Sequence, residues 1–344
     1  MTRPYGRFFY LPRFLAASDH EVTLILVSYN KGENSTMEQY GMVIHSISVL
    51  PNPVAALFRI FKFAKTFAPD WLIGFSDTYY GILVCLISNR LNARCLIDAY
   101  DNYEAYLPWC KPLHWAWRYA LRRSDAVTCA GPSLQRLFNV YRSTKDAEIL
   151  PMAVDPVGFR KLDPEKCRRE FGLPQDRKLI GYFGGIHPNR GIDTLFRAVE
   201  HIRVTRPDVT VVMSGRVLKG IRIPEYVINL GYIPDEKIPA LYSSVDCIAV
   251  LNRDSAFGNY SYPIKLYEAM ACEVPVVVSR TESTQWIMKD HPELLVTPGN
   301  SVELAQSIIT SIDGPRVKYP ATGSWEDGAK ILESMILNKP VPVA

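Results

Sequence analysis

Residues 260–278 read YSYPIKLYEAMACEVPVVV, which predicts a loop, then a helix and then a strand of valines. Pro263 suits the first turn of such a helix, whose leading N–H groups offer an anion site. Lys265 and Glu268 are three residues apart and share one helix face. Such a pair usually belongs to a solvated face, but a helix that leads straight into a valine strand is a buried crossover, which favours a ligand site. The predicted core-facing residues are Leu266, Ala269 and Met270.

The same alternation of strand and helix runs through the rest of the chain. Short apolar or β-branched runs are separated by longer helical patterns, which predicts parallel sheets covered by crossover helices. The predicted strands are 22–27, 71–75, 95–98, 179–183, 209–213, 227–230, 245–250 and 274–278, and the clearest predicted helices are 53–67 and 191–205. The expected fold class is therefore α/β, with two Rossmann-like, doubly wound domains.

Residues 150–159 are rich in Pro and Gly, lack either periodicity and form the predicted hinge. The expected domains are residues 1–155, residues 156–320 and a final helical segment, 321–344. Open α/β domains bind ligands at the carboxyl ends of their strands. We therefore expect the active site to draw on both halves of the chain.

The composition argues against several classes of protein. The 344 residues exceed one ordinary core, and the seven cysteines are scattered without CxxC pairs, which argues against disulfides and zinc. Neither a secretory signal nor a membrane span is predicted, so we expect a cytoplasmic location. Residues 1–150 carry 16 basic and 12 acidic side chains, against 23 of each in 151–344. That excess is too small for nucleic-acid binding but suits an anionic membrane surface or a phosphate-bearing acceptor.

A glycine-rich turn follows the predicted strand 179–183. Gly184, Gly185 and Gly191 allow the backbone to approach a ligand closely. The start of the next helix offers free N–H groups, and Arg190 adds a positive charge. The turn fits a phosphate or diphosphate, although an ordinary strand-to-helix turn with a surface arginine explains the same residues equally well.

Three motifs occur in order along the second half of the chain. They are Gly-Gly…Arg-Gly at 184–191, Asn-Leu-Gly-Tyr-Ile-Pro at 229–234, and Lys-Leu-Tyr-Glu-Ala-Met-Ala-Cys at 265–272 with Pro-Val-Val-Val after it. This order resembles the large retaining glycosyltransferase family of GT-B fold that is often called family four. The resemblance covers about residues 150–310. It implies an acceptor-binding N-terminal domain and a C-terminal domain that binds a nucleotide-sugar donor.

The resemblance also implies roles for individual residues. Arg190 falls on the basic residue at the donor diphosphate, and Glu268 falls on the glutamate that holds the ribose. The turn that borders the nucleotide base falls at 232–234, and the helix that begins at Trp325 and Glu326 is expected to cross back to the N-terminal domain. The expected donor-binding residues are Gly184, Gly185, Arg190, Gly191, Arg216, Tyr232, Ile233, Pro234, Tyr260, Ser261, Tyr262, Ile264, Lys265 and Glu268.

Two departures from the family pattern concern the donor. The first of the family's paired glutamates, eight residues before the second, is Tyr260 here, so the contact to the donor sugar is missing or supplied otherwise. An arginine that commonly adjoins the first glycine is Gly185, which leaves Arg190, Lys265 and Arg216 to balance the diphosphate. Members with Pro-x-Lys-x-x-Glu resemble working enzymes, so we still expect activity.

A third departure lies at the N-terminus. The family usually begins with a strand and a Gly-rich acceptor loop, whereas residues 2–11 resemble the helix that follows them. Three explanations remain open: the start site lies elsewhere, the chain is trimmed, or the N-terminal sheet lacks its first strand and the acceptor site is incomplete.

The N-terminal half contributes an acidic loop and two basic, aromatic segments. Asp101 follows a predicted strand and is expected to orient an acceptor hydroxyl, whereas Asp98 and Glu104 are expected to cap the next helix. Residues 57–67 and 111–123 fit either amphipathic helices on anionic lipid or core helices with a basic edge.

The predicted function is transfer of a sugar from a nucleotide diphosphate sugar to an acceptor hydroxyl in polysaccharide or glycolipid synthesis. The reaction is expected to be retaining and to need neither a metal nor a further cofactor, with Asp101, Arg190 and Lys265 as catalytic residues. The expected partners are the nucleotide sugar, a saccharide or lipid-linked acceptor and the inner face of an anionic membrane, but no nucleic acid. The alternatives are a sugar-nucleotide epimerase of the same fold and a non-catalytic binding subunit.

Overall fold

The computed structural model describes residues 6–142, 146–155, 157–187 and 190–338, which form two compact units. One unit comprises the chain up to Pro151 together with the chain from Gly323 onward, and the other is Met152–Thr322. The predicted domain boundaries lie after residues 155 and 320, and the structure places them after Pro151 and Thr322. Parts of four predicted segments, namely residues 2–5, 156, 188–189 and 339–344, lie outside the described residues.

The first unit contains two sheets and the helices packed on them. Its strands are β1 (Val22–Ser28), β2 (Ser35–Gln39), β3 (Met42–Ser48), β4 (Trp71–Phe75), β5 (Arg94–Ala99), β6 (Ala126–Cys129) and β7 (Glu148–Ile149). Its helices are α1 (Arg7–Ala17), α2 (Pro53–Phe67), α3 (Thr78–Leu91), α4 (Lys111–Arg123), α5 (Pro132–Asn139) and α12 (Trp325–Ile336).

The strand order of the first unit is β1-β3-β2 in one sheet and β4-β5-β6-β7 in the other. All its strand pairs are parallel except β2 with β3, so the expectation of purely parallel pairing is wrong at this point. Tyr40 and Gly41 both have positive φ, at 55° and 73°, which is the backbone of a tight hairpin turn. This hairpin was not predicted because every residue of β2 is exposed and most are polar.

The last helix, α12, belongs to the first unit and packs on α1. The rings of Tyr10 and Trp325 stack with centroids 6.0 Å apart and an interplanar angle of 5°. At the other end of α12, the indole N–H of Trp71 donates a hydrogen bond to the carbonyl of Ile336 over 3.2 Å. In the part of the chain that the structure describes, no helix is both long enough and apolar enough to cross a bilayer.

The second unit is a single parallel sheet with helices on both faces. Its strands are β8 (Lys178–Phe183), β9 (Val209–Ser214), β10 (Val227–Asn229), β11 (Cys247–Val250), β12 (Val276–Ser279) and β13 (Leu295–Val296), and its helices are α6 (Pro164–Glu170), α7 (Ile192–Arg203), α8 (Ile238–Ser243), α9 (Ile264–Ala271), α10 (Glu282–Ile287) and α11 (Ser301–Asp313). The strand order is β10-β9-β8-β11-β12-β13.

Alternate residues of these strands enter two different cores. Ile180 and Tyr182 of β8 pack in the core under α7 and α11, while Leu179 and Phe183 pack in the core under α8 and α9. Both faces of the sheet are therefore buried, which is why the sequences of its strands are continuous apolar runs. The chain turns from β8 towards β9 and later returns to the other side of β8 as β11, so the strand order reverses between β8 and β11. Such a switch point leaves a crevice at the carboxyl ends of the strands.

A substitution at Gly81 on α3 tests the packing of the first unit. A methyl group on Gly81 would lie 2.5 Å from the ring of Trp117, which is 1% exposed on α4. We expect Gly81→Ala to lower the free energy of unfolding by about 1–3 kcal/mol through overpacking, although Ala at a helix interior ordinarily gains about 1 kcal/mol over Gly. Urea denaturation of the whole chain measures the change.

Gly328→Ala on α12 is the matched control, because its methyl group would meet only the flexible ends of Leu11 and Leu150, at 3.1 and 3.4 Å. We expect a smaller effect than at Gly81. A stabilising Gly81→Ala would contradict the packing described for α3 and α4.

Candidate functional site

Two glycines meet where β8 and β9 end. Gly184 has φ 103°, and its N–H donates to the carbonyl of Ser214 over 2.8 Å. Gly215 has φ 126°, and a Cβ at this position would overlap the backbone of Gly184. Only glycine fits at 215, and the sequence analysis missed it although Ser-Gly-Arg directly follows a strand. Gly185 is exposed and has open space at its Cβ position, so its backbone is accessible to a ligand.

The start of α7 closes the same turn. Gly191 is the N-cap of α7 with φ 66°, and a Cβ there would lie 3.2 Å from the Cβ of Leu251, just after β11. The carbonyl of Arg190 accepts a hydrogen bond from the hydroxyl of Tyr182 over 3.1 Å, and the Arg190 guanidinium lies 4.7 Å from the centre of the Phe257 ring. A cation and the N-terminus of a twelve-residue helix therefore stand at the switch point of the sheet.

Helix α9 delivers a second cation to the end of β8. The Nζ of Lys265 donates to the carbonyl of Phe183 over 2.6 Å and lies 2.7 Å from the position that a Cβ on Gly184 would take. Burial and, to a smaller extent, the charge of Arg190 lower the pKa of Lys265 to about 8, while Glu268 opposes the shift. Pro263 is the N-cap of α9 and not a residue of its first turn, which corrects the prediction by one position.

Glu268 is one helical turn further along α9. Its carboxylate accepts a hydrogen bond from the hydroxyl of Tyr242 over 2.7 Å. Burial raises the pKa of Glu268 to about 7 and Asp235 adds to this, while Tyr242 and Lys265 counteract it. Tyr242 lies on α8 and has no motif around it, so sequence reasoning did not find it. The core-facing prediction for α9 is confirmed, because its three predicted residues are buried: Leu266, Ala269 and Met270.

The loop before α9 holds its residues in different ways. Tyr262 is buried with its ring edge-on to Trp286, and the carbonyl of Ser261 accepts from the Ser283 hydroxyl over 2.7 Å. These two residues therefore anchor the loop to α10. Tyr260 ends a short 3-10 turn and is half-buried, as is Ile264 at the start of α9.

The turn at 231–234 is tied to the glycines. The carbonyl of Gly231 accepts from the N–H of Gly215 over 2.8 Å. Tyr232 is 71% exposed, while Ile233 and Pro234 are half-buried. Arg216 is exposed, and its carbonyl accepts from Ile186 over 3.0 Å. Hydrogen bonds and close approaches thus join residues 184, 215, 231 and 265 at the carboxyl ends of the strands.

Two of the three acidic residues singled out in the first unit, Asp98 and Glu104, behave differently from the prediction. Asp98 does not cap a helix: it lies within β5, is buried, and accepts from Arg7 over 2.6 Å and from Thr128 over 2.5 Å. Glu104 does not cap one either, since both of its oxygens accept from the Arg118 guanidinium, over 2.7 and 2.5 Å. Asp101 accepts from the Tyr106 hydroxyl over 2.8 Å and is half-buried.

Two family models match the chain and between them cover most of it. The model described as glycosyl transferase 4-like domain matches residues 10–151, and the model described as glycosyl transferases group 1 matches residues 177–313. The chain belongs to the group 1 glycosyltransferase family. The α/β prediction is confirmed, and the fold of this family member is GT-B, with two Rossmann-like units.

Two curated relatives of this group 1 chain are bacterial transferases. It is 27% identical over 229 residues to the D-inositol 3-phosphate glycosyltransferase of Stackebrandtia nassauensis. This match covers 60% of the chain and 51% of the relative. It is 28% identical over 239 residues to the GDP-mannose-dependent alpha-(1-6)-phosphatidylinositol monomannoside mannosyltransferase of Mycolicibacterium smegmatis, covering 63% and 60%. The chain thus spans between half and three fifths of the length of these relatives.

A solved structure resembles nearly the whole group 1 chain. HepE of Anabaena, crystallised in complex with UDP and glucose, superposes with a TM-score of 0.73 at 18% identity. The match covers 98% of this chain and 94% of HepE. The likeness at this identity establishes the shared fold.

The raised pKa of Glu268 predicts a pH-dependent stability. Between about pH 4.5 and 7 the unfolded chain has lost the Glu268 proton while the folded chain keeps it, so stability falls as pH rises through this window. Glu268→Gln cannot ionise, and we expect the wild type to lose stability relative to this variant as pH rises from 4.5 to 7. Urea denaturation at several pH values measures the difference.

Glu225→Gln, on an exposed loop, is the control and should give a nearly flat difference over the same range. A wild type that gains stability over Glu268→Gln as pH rises would show instead that the ionised carboxylate is favoured in the fold.

Proposed function

We propose that this chain transfers a sugar from a nucleotide diphosphate sugar to an acceptor hydroxyl. The observation that carries the proposal is the ammonium of Lys265, held 2.6 Å from the Phe183 carbonyl beside the glycine turn at the switch point of the second unit. A diphosphate placed there would meet Lys265, Arg190 and the backbone of Gly185, together with the starts of α7 and α9. A relative named as GDP-mannose-dependent and a structure of Anabaena HepE in complex with UDP-glucose support this assignment.

The proposed chemistry is stabilisation of a leaving group. When the bond between the anomeric carbon and the diphosphate oxygen breaks, the electron pair stays on the diphosphate, and negative charge grows next to Lys265 and Arg190. Fixed cations and N–H groups at that place lower the barrier because they need no reorganisation. The acceptor oxygen forms the new bond to carbon, and its proton passes to the departing diphosphate oxygen. We propose that Asp101 orients the acceptor hydroxyl. Glu268 is proposed to accept hydrogen bonds from the nucleotide ribose.

Three finer features extend the proposal. Retention of configuration is proposed from the family resemblance. Independence from metals and other cofactors is proposed from the same resemblance and because the two cations supply the charge that a metal would otherwise provide. The curated relatives act on inositol phosphates and phosphatidylinositol mannoside, by their names, and a relative from Bacillus subtilis is named for teichuronic acid synthesis. We propose a polysaccharide or glycolipid acceptor on the same grounds.

Product analysis with a panel of nucleotide sugars, with and without EDTA, tests the reaction. We expect free nucleoside diphosphate and a new glycoside, and Lys265→Ala should lower kcat/KM about 100- to 1,000-fold, as removal of a donor at a developing charge typically does. Lys289→Ala, an exposed lysine on the same unit, is the control and should keep full activity.

An altered sugar nucleotide without transfer would support epimerisation, and binding without turnover would support a non-catalytic subunit. Glu268→Ala should weaken nucleotide binding in calorimetry, and an unchanged Kd would contradict the ribose assignment.

We further propose that the first unit contacts the cytoplasmic face of an anionic membrane through α4. Lys111, Trp115, Tyr119 and Arg122 follow one another at helical spacing and are all exposed. Trp115 is 68% exposed and Trp109, just before the helix, 75%. Exposed tryptophans with interleaved cations are typical of surfaces that lie at the lipid interface. The opposite face of α4 carries the buried Trp117, so that face belongs to the core and the membrane proposal concerns the exposed face alone.

Vesicle flotation tests the membrane contact. We expect the double variant Lys111→Glu and Arg122→Glu to lose at least tenfold in binding to vesicles that contain 30% phosphatidylglycerol, on the order of 1 kcal/mol for each charge near the surface. Lys166→Glu with Arg169→Glu, two exposed cations of α6 in the second unit, makes the same change in net charge and should bind as the wild type does. Equal losses for both pairs would refute a role for α4.

A further inference from the structure

Asn252 is a buried asparagine just beyond the end of β11. It follows the last residue of that strand, Val250, by two positions, and only 3% of its surface is exposed. Its N–H donates to the hydroxyl oxygen of Ser279, at the end of β12, over 3.1 Å. None of the described groups donates a hydrogen bond to its side-chain oxygen Oδ1, although that atom is shielded from solvent. A buried acceptor without a donor costs free energy, so this position favours a partner from outside the chain.

A small polar cavity adjoins this asparagine. Its volume is about 10 Å³, which is the room that one water or one hydroxyl oxygen needs. Three strand ends and two helix starts contribute to its walls, through Gly191, Thr194, Asn252, Ser279, Thr297 and Asn300. All of these except the glycine carry a side-chain oxygen that can bind a hydroxyl. The cavity therefore suits a single polar oxygen and not an apolar group.

Gly191 connects this cavity to the proposed diphosphate site. The glycine is the N-cap of α7, directly after Arg190 in the glycine turn, and it also lines the cavity. A Cβ at Gly191 would lie 4.0 Å from the backbone nitrogen of Asn252. A group bound at the start of α7 is therefore a neighbour of Asn252.

The strand order gives the direction in which a nucleotide sugar would lie. Along the sheet the order is β10, β9, β8 and then β11. The proposed base turn, 232–234, follows β10, the proposed diphosphate site follows β8, and Asn252 follows β11. In a nucleotide diphosphate sugar the diphosphate stands between the nucleoside and the sugar. With the base on one side of β8, the sugar falls on the other side, where Asn252 lies.

Tyr260, in the same loop as Asn252, stands where the family resemblance implies a carboxylate for the donor sugar. It is half-buried and brings one hydroxyl in place of two carboxylate oxygens. The amide of Asn252 offers an acceptor oxygen that is already desolvated. It is also uncharged, so it adds no negative charge beside the departing diphosphate.

We propose that Asn252 accepts a hydrogen bond from one hydroxyl of the transferred sugar and thereby determines which donor sugar the chain uses. The assignment rests on the proposed function, because it takes the diphosphate to lie at Lys265 and Arg190. The hydroxyl enters the cavity beside Gly191 and supplies the donor that Oδ1 lacks among the described residues.

Calorimetry with nucleoside diphosphates and their sugars separates this contact from the rest of the site. The probes are UDP, GDP, ADP and dTDP, each free and carrying a hexose, and the best-bound pair is used for the variants. Asn252→Ala and Asn252→Leu should bind the nucleotide sugar about tenfold more weakly than the wild type and the free nucleoside diphosphate equally well. Gln306→Ala, which removes an exposed amide of α11 in the same unit, should leave both affinities unchanged.

Deoxy analogues of the best-bound nucleotide sugar identify the hydroxyl without any change in the protein. One analogue should bind the wild type about tenfold more weakly than the parent compound, because it leaves Oδ1 without a donor again. The same analogue should bind Asn252→Leu as well as the parent does. The two losses then do not add, which assigns the hydroxyl to Asn252.

The stability of the ligand-free protein distinguishes a sugar contact from a structural role. Leucine keeps the branched shape of asparagine and removes the unpartnered oxygen, so Asn252→Leu should leave the urea midpoint unchanged or raise it. A lower midpoint, combined with equal losses for the nucleotide sugar and the free diphosphate, would mean that Asn252 only supports the fold.

One further outcome would overturn the assignment, and another would also overturn the proposed function. A wild type that binds a nucleoside diphosphate but is indifferent to every deoxy analogue would leave the cavity to a water molecule and overturn the assignment alone. A wild type that binds none of the four nucleoside diphosphates would overturn the proposed function and the role of Asn252 with it.

Discussion

The bond from the Lys265 ammonium to the Phe183 carbonyl is the contact on which the rest of the second unit's site depends. It joins α9 to the end of β8 and places the ammonium next to Gly184, where a side chain would clash with it. Burial makes this arrangement costly, as the lowered pKa of Lys265 and the raised pKa of Glu268 both indicate. Buried groups with strongly shifted pKa values are concentrated at functional sites, which supports the proposed donor site.

The two units differ in how completely their sheets are closed. In the second, each core lies under a layer of helices and the strands are dry on both faces. In the first, the sheet is divided, and an apolar cavity lies where two outer strands face each other. Local packing within each half-sheet is nonetheless regular, because α1, α2 and α3 cover both faces.

Much of this architecture could be predicted from the sequence, and the exceptions have physical causes. Helix α2 and strand β4 lie at the predicted bounds because their apolar periodicity is strong. The β2–β3 hairpin escaped prediction because its outer strand is polar and its turn signal is a lone glycine. Tyr242 reaches the site only through tertiary packing, for which no local pattern exists, whereas Gly215 directly follows β9 and had a local signal. Asp98 looked like a loop carboxylate because its partner, Arg7, is far away in sequence.

The placement of α12 with the first unit has a consequence for synthesis on the ribosome. The second unit is one continuous stretch, Met152–Thr322, and all of its strands emerge together. The first unit receives α12 only after that stretch has left the exit tunnel, so Tyr10 and its neighbours on α1 wait for Trp325 until the whole second unit has been made. The nascent chain therefore exposes an apolar face of α1 during this interval, in which chaperones act on such surfaces.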